Sequence, residues 1–163
     1  MAPLSGYRIV EFGDASCIFA GRLLADLGAD VIRIDAPEDA THPANRRLRP
    51  AAPFLDDVAH PDRSYGHLAF NAGKRLVAID VAVPEGRAQF LELLHTSHGL
   101  IESGGQAAFD AIGLSAAAIA AANPSLARVS VTPFGLGGPW AGRAGRALQI
   151  SSAGPGPGAW RVA

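Results

Sequence analysis

Residues 22–37, RLLADLGADVIRIDAP, restrict the fold more than any other part of the chain. Leu23, Leu24 and Leu27 recur at helical spacing, Gly28 stands where a helix stops, and Val31, Ile32 and Ile34 read as a buried strand. Upstream, residues 7–12 (YRIVEF) read as a first strand, and the helix opens after Gly13 with Asp14 or Ser16 available as its N-cap. Its expected buried stripe is Phe19, Leu23 and Leu27, with Arg22 and Asp26 one turn apart on the polar side. The second strand is expected over residues 30–34. Strand, crossover helix and strand make a βαβ unit, which requires parallel pairing.

The pattern dissolves from Ala36 to about Gly73, where Pro37, Pro43, Pro50, Pro53 and Pro61 interrupt any long regular element. It resumes with a third strand at residues 76–79 (LVAI). Pro84 and Glu85 then open a helix whose buried face is Phe90, Leu91 and Leu94. Gly99 to Ile101 begin another strand, residues 106–122 read as helix broken near Gly113, and Val129 to Val131 form a further strand. Such alternation predicts an α/β fold with a parallel sheet flanked by helices. No internal repeat or second domain is evident, so residues 1–163 read as one domain with an irregular segment at about 36–73.

Composition narrows the function classes. A formal charge of −1 provides no long-range field for nucleic acid or acidic membranes. One cysteine excludes an intramolecular disulfide and disfavours a cysteine-based metal site. No apolar run has the length of a membrane span and no signal peptide is recognisable, so the chain reads as cytoplasmic.

The opening unit invites a dinucleotide reading, with Asp35 at the carboxyl end of the second strand as the ribose acid. That reading needs glycines at three set positions, because larger residues block the pyrophosphate. The turn reads Gly13-Asp14-Ala15-Ser16-Cys17-Ile18, with one glycine of the set and an acid facing the phosphate, so the fingerprint fails. Cys17 lies near a helix N-terminus, where a thiol is activated, or else packs as a small apolar residue. His95 and His98 are three apart at a helix end, where the dipole alone favours them; with His42, His60 and His67 they assemble no metal site. Two glycine-rich turns remain, Ser103-Gly104-Gly105 after a strand and Gly135 to Pro139 (GLGGP), and both suit close approach of a ligand to the backbone.

Several pieces occur together and in register. Leu4-Ser5-Gly6 and Leu24-Ala25-Asp26-Leu27-Gly28-Ala29-Asp30-Val31-Ile32 open the series. Asn71-Ala72-Gly73-Lys74-Arg75 with Asp80, then Pro84-Glu85-Gly86-Arg87, continue it. Asn123-Pro124 with Leu126, and Phe134-Gly135 leading to Gly138-Pro139-Trp140, complete it. In these the chain resembles the N-terminal portion of the class III CoA-transferases, the family of formyl-CoA and carnitine-CoA transferases and α-methylacyl-CoA racemases. The resemblance implies a Rossmann-like large domain, here incomplete, an interlocked dimer or a complementary subunit, and an acyl-CoA thioester as substrate with no permanently bound cofactor. It implies CoA contacts at Ala15 and Ser16, at Ile79 and Asp80, and at Ser103, Gly104 and Gly105.

In the transferases an aspartate attacks the thioester to form a covalent intermediate; in the racemases an acid/base pair moves a proton beside the carbonyl. The resemblance assigns that aspartate to no residue here, which implies no turnover by this chain alone, as a fragment or as a pseudo-enzyme subunit. Three positions depart from the pattern. Arg146-Ala147 stand where racemases carry His-Asp, Ala36 stands where a basic residue usually serves CoA, and Ser103-Gly104-Gly105-Gln106 replace the Asn-aromatic-basic-Pro run after Glu102.

Overall fold

In a computed structural model, which describes residues 2–37, 52–143 and 145, five parallel strands form one sheet in the order β3-β2-β1-β4-β5. The strands are β1 (Arg8–Phe12), β2 (Asp30–Asp35), β3 (Arg75–Ala78), β4 (Gly99–Ser103) and β5 (Ala127–Val131). The helices are α1 (Ala15–Asp26), α2 (Tyr65–Asn71), α3 (Pro84–His95), α4 (Gly105–Ala111) and α5 (Ala116–Ala122). The α/β class and the parallel sheet expected from the sequence are therefore present. The expected irregular span is shorter than read: two 3-10 turns at Leu55–Asp57 and Pro61–Arg63 lead into α2, which Ser64 caps by accepting from His67 N at 3.1 Å. Residues 38–51 of that span, with His42, Pro43, Arg46, Arg47, Arg49 and Pro50, lie outside the described residues, as do Arg146 and Ala147.

Register places Val10 beside Ile32 and Leu100, and Glu11 beside Arg33 and Ile101. Because strand side chains alternate, the two faces of the sheet receive different chemistry. One face is apolar: Val10, Ile32, Ile34 and Leu100 pack with Phe90 and Leu94 of α3, Phe109 of α4 and Ile119 of α5. Phe12 joins this side, its ring centroid 5.3 Å from Phe90 and 5.5 Å from Phe109. Asn123 closes the layer by donating from Nδ2 to Leu94 O at 3.0 Å and Ser97 O at 2.7 Å, which binds the end of α5 to the end of α3.

The other face carries α1, and here the structure corrects the sequence reading. Phe19, Leu23 and Leu27 are 56%, 48% and 45% exposed, while Cys17, Ile18 and Gly21 are the buried residues of the helix. The inward side is small because a charged layer lies beneath it: a Cβ on Gly21 would overlap the Glu11 carboxylate. The outward stripe meets α2 where Phe19 and Phe70 sit edge to face at 6.2 Å. The terminus of α1 follows the sequence reading. Gly28 N donates to Ala25 O at 2.9 Å and Ala29 N to Leu24 O at 3.0 Å, the paired bonds of a Schellman motif, with Gly28 at φ +93° as that motif requires.

Among the described residues, no single helix is long and apolar enough to cross a membrane.

Candidate functional site

The strand order reverses direction between β1 and β4, and open α/β sheets bind ligands in the crevice outside the carboxyl ends at such a point. Two turns meet there. The β1–α1 turn brings Gly13 against Ser103 so closely that a Cβ would overlap the serine hydroxyl, and Asp14 N donates to Ser103 Oγ at 2.8 Å. The sequence-predicted residues Ala15 and Ser16, both exposed in the first turn of α1, directly follow the Gly13–Asp14 turn that meets Ser103, and Gly104 next to Ser103 is exposed as well. Gly105 is buried at φ +68°, and a side chain there would run into Leu136 from the loop after β5. The second glycine-rich turn accordingly covers the first.

Most polar groups at the crevice already have partners. Asp14 caps α1, accepting from Ser16 N at 3.0 Å and from Ser16 Oγ at 2.6 Å. Gly105 N donates to Glu102 Oε2 at 3.0 Å, and the same buried carboxylate takes Arg128 Nη2 at 3.0 Å and the Ser130 hydroxyl. A carboxylate of the chain itself therefore accepts from an amide of each turn, Ser16 N in one and Gly105 N in the other, where a pyrophosphate would seek such donors.

Ile79 and Asp80 lie elsewhere, past the end of edge strand β3, with β2 between them and β1. Ile79 belongs to the apolar core and its N–H donates to Asp35 O at 3.0 Å, while Asp80 Oδ1 accepts from Ala82 N at 2.9 Å. Asp80 O also lies under α3 so closely that only glycine fits at position 86.

Asp35, the residue the dinucleotide reading would use, has its Oδ1 engaged by the chain itself, accepting from Arg33 Nε at 3.0 Å. Ala36 is buried beside it. The Cys17 thiol is buried with Sγ 3.2 Å from Asp14 O; burial first, then the Glu11 charge, pushes it from 9.0 up to about 12. It packs as a buried, protonated thiol. His95 Nδ1 lies 2.9 Å from Ala122 O, and His98 Nδ1 accepts from Arg8 N at 3.1 Å, so each serves the backbone.

Sequence reasoning missed the buried charges. Glu11, Arg33 and the Lys74 side chain are 0% exposed: Lys74 Nζ holds Glu11 Oε2 at 2.7 Å, and Arg33 Nη1 holds Glu11 Oε1. Burial lowers Lys74, opposed by its bond to Glu11. The available signal was a single charge inside each of two apolar strands, the Glu of IVEF and the Arg of VIRID.

A match to CoA-transferase family III extends over residues 4–154. The chain belongs to that family. Within it, the chain is 36% identical over 146 residues to succinate–glutarate CoA-transferase of Agrobacterium fabrum, covering 88% of this chain and 35% of the relative. It is 33% identical over 148 residues to the BbsE subunit of succinyl-CoA:(R)-benzylsuccinate CoA-transferase of Thauera aromatica, covering 91% and 35%. A solved CaiB/BaiF family protein from Brucella suis superimposes with a TM-score of 0.76 at 33% identity, covering 94% of this chain and 39% of that one. The chain thus spans about a third of the length of the curated family III relatives it matches. Three residues of the segments that carry the resemblance make contacts within the fold: Gly86 lets α3 onto Asp80, Lys74 meets Glu11, and Asn123 caps α3.

Proposed function

We propose that this chain is the part of a family III CoA-transferase that receives the acyl-CoA thioester, in the crevice between the β1–α1 and β4–α4 turns. The observation that carries the reading is the family match over residues 4–154, and the convergence of Ala15, Ser16, Ser103 and Gly104 at the switch point supports it. A surface of exposed backbone and small side chains suits the extended, uncharged pantetheine arm better than a pyrophosphate, because the amides around it already face carboxylates. Ile79 and Asp80 contribute at the margin, through main chain and carboxylate. CoA is substrate, and no resident cofactor takes part. Residues 1–163 form one domain in this reading, and because none is assigned the nucleophilic aspartate, the chain alone transfers no acyl groups.

Calorimetric titration with free CoA tests the binding half: saturable heat is expected, and its absence would remove the crevice reading. Incubation of the purified chain with succinyl-CoA and a dicarboxylate tests the other half, with no CoA exchange expected; measurable exchange refutes it.

A second reading, a subunit that pairs with a further copy or a complementary chain in the cytoplasm, has its own support. The exposed stripe of Phe19, Leu23 and Leu27 with Phe70 is apolar surface of the kind a partner covers, and one relative is itself named as a subunit. A strictly monomeric chain in sedimentation would count against it.

A further inference from the structure

We infer that Arg33 is the positioning residue of the candidate crevice: it fixes the β1–α1 turn, and Asp35 acts by orienting it. Three bonds radiate from this fully buried guanidinium. Nη1 holds Glu11 within β1, Nη2 donates to Gly13 O at 3.2 Å in the turn, and Nε donates to Asp35 Oδ1 at 3.0 Å at the end of β2. The planar fork of arginine reaches all three at once, which a lysine ammonium does not.

The group is linked to α1 by a second route. Lys74 Nζ donates to the other Glu11 oxygen at 2.7 Å and to Ile18 O, one turn into the helix, at 2.8 Å. Gly21 lays the helix directly on that carboxylate. The first turn of α1, which carries Ala15 and Ser16, is therefore tied from beneath by buried charge in addition to the packing of Cys17 and Ile18. Stability alone does not account for such a layer, since well-packed apolar residues in place of a buried ion network are commonly neutral or stabilising. What apolar side chains do not supply is a directional bond to the Gly13 carbonyl.

The ligand side of this inference rests on the proposed CoA crevice; the structural side does not. Asp35→Ala removes the Nε partner, Asp35→Asn keeps an acceptor oxygen as the conservative control, and Arg33→Met removes the fork. Each is compared with the parent chain by thermal melting, by hydrogen exchange on peptides covering residues 13–18 and the core strands, and by titration with free CoA. In Asp35→Ala, exchange at residues 13–18 is expected to rise about tenfold with the core strands unchanged, and CoA affinity to fall about tenfold, the order expected for losing one hydrogen bond to a charged group. Asp35→Asn is expected to restore most of both. A rise shared equally by the core strands, or no rise at residues 13–18, overturns the inference. If Arg33→Met does not fold, the two Asp35 variants decide. If the parent chain binds no CoA, the crevice reading fails and the exchange pattern alone judges Arg33.

Discussion

Replacing Gly21 by alanine inverts an ordinary expectation. In an exposed helix interior the change stabilises by about 0.5–1 kcal/mol, because glycine loses more conformational freedom on folding. In α1 the new methyl would overlap the Glu11 carboxylate, and that carboxylate is not free to swing: Lys74 holds one oxygen and Arg33 the other. Either the helix lifts from the sheet, at the roughly 1–3 kcal/mol typical of overpacking, or a buried pair breaks, at roughly 3–5 kcal/mol. Offset by the gain in propensity, a broken pair gives a net loss of about 2–4 kcal/mol, which corresponds to roughly 5–15 °C in Tm for a domain of this size. Urea unfolding followed by circular dichroism measures it directly. Gly66→Ala is the control, since nothing lies within 4 Å of a Cβ there, and it is expected to be neutral or mildly stabilising. If Gly21→Ala is as stable as the parent chain or more so, the buried carboxylate does not support α1 and the account of this face is wrong.

The Cys17 thiol should resist a disulfide reagent at pH 8 in the folded chain and react at once in urea. Its raised folded value also fixes a sign: the folded state keeps a proton that the unfolded state releases, so this contribution is complete below about pH 9 and declines as pH rises from 9.0 toward about 12. Melts recorded across that range, with Cys17→Ala as reference, would show the parent losing stability faster; parallel curves would contradict the burial. Phe19→Ser should change stability by less than about 0.5 kcal/mol, whereas Phe90→Ala should remove about 3–5 kcal/mol; comparable losses would mean that the outward stripe of α1 is core after all.

Local signals carried a large share of the architecture. Gly28 ends α1, Asp14 caps it, Pro84 opens α3, and the run between residues 106 and 122 breaks near Gly113, all as the sequence indicates. Each depends on backbone geometry within a few residues, so neighbours suffice to determine it. The parallel pairing of β1 and β2 follows in the same way from a helix too long for a hairpin. The motif series likewise sufficed to name the family, since segments in register depend on order along the chain and not on contacts.

Only the tertiary structure decided which side of α1 is inside. Helical spacing picks out Phe19, Leu23 and Leu27 as a stripe, but it cannot say that the sheet below presents Glu11 and Arg33, toward which Cys17, Ile18 and Gly21 turn instead. The same holds for Asp35, whose place at a strand end suggests a ligand while its partner is Arg33, two residues back on the same face. It holds again for Ser103, which meets Asp14 from 89 residues away in the chain only because β4 pairs beside β1. Periodicity reports that a residue faces something; what it faces is set by pairing between distant strands, and in this protein that pairing placed charge where the sequence suggested an apolar core.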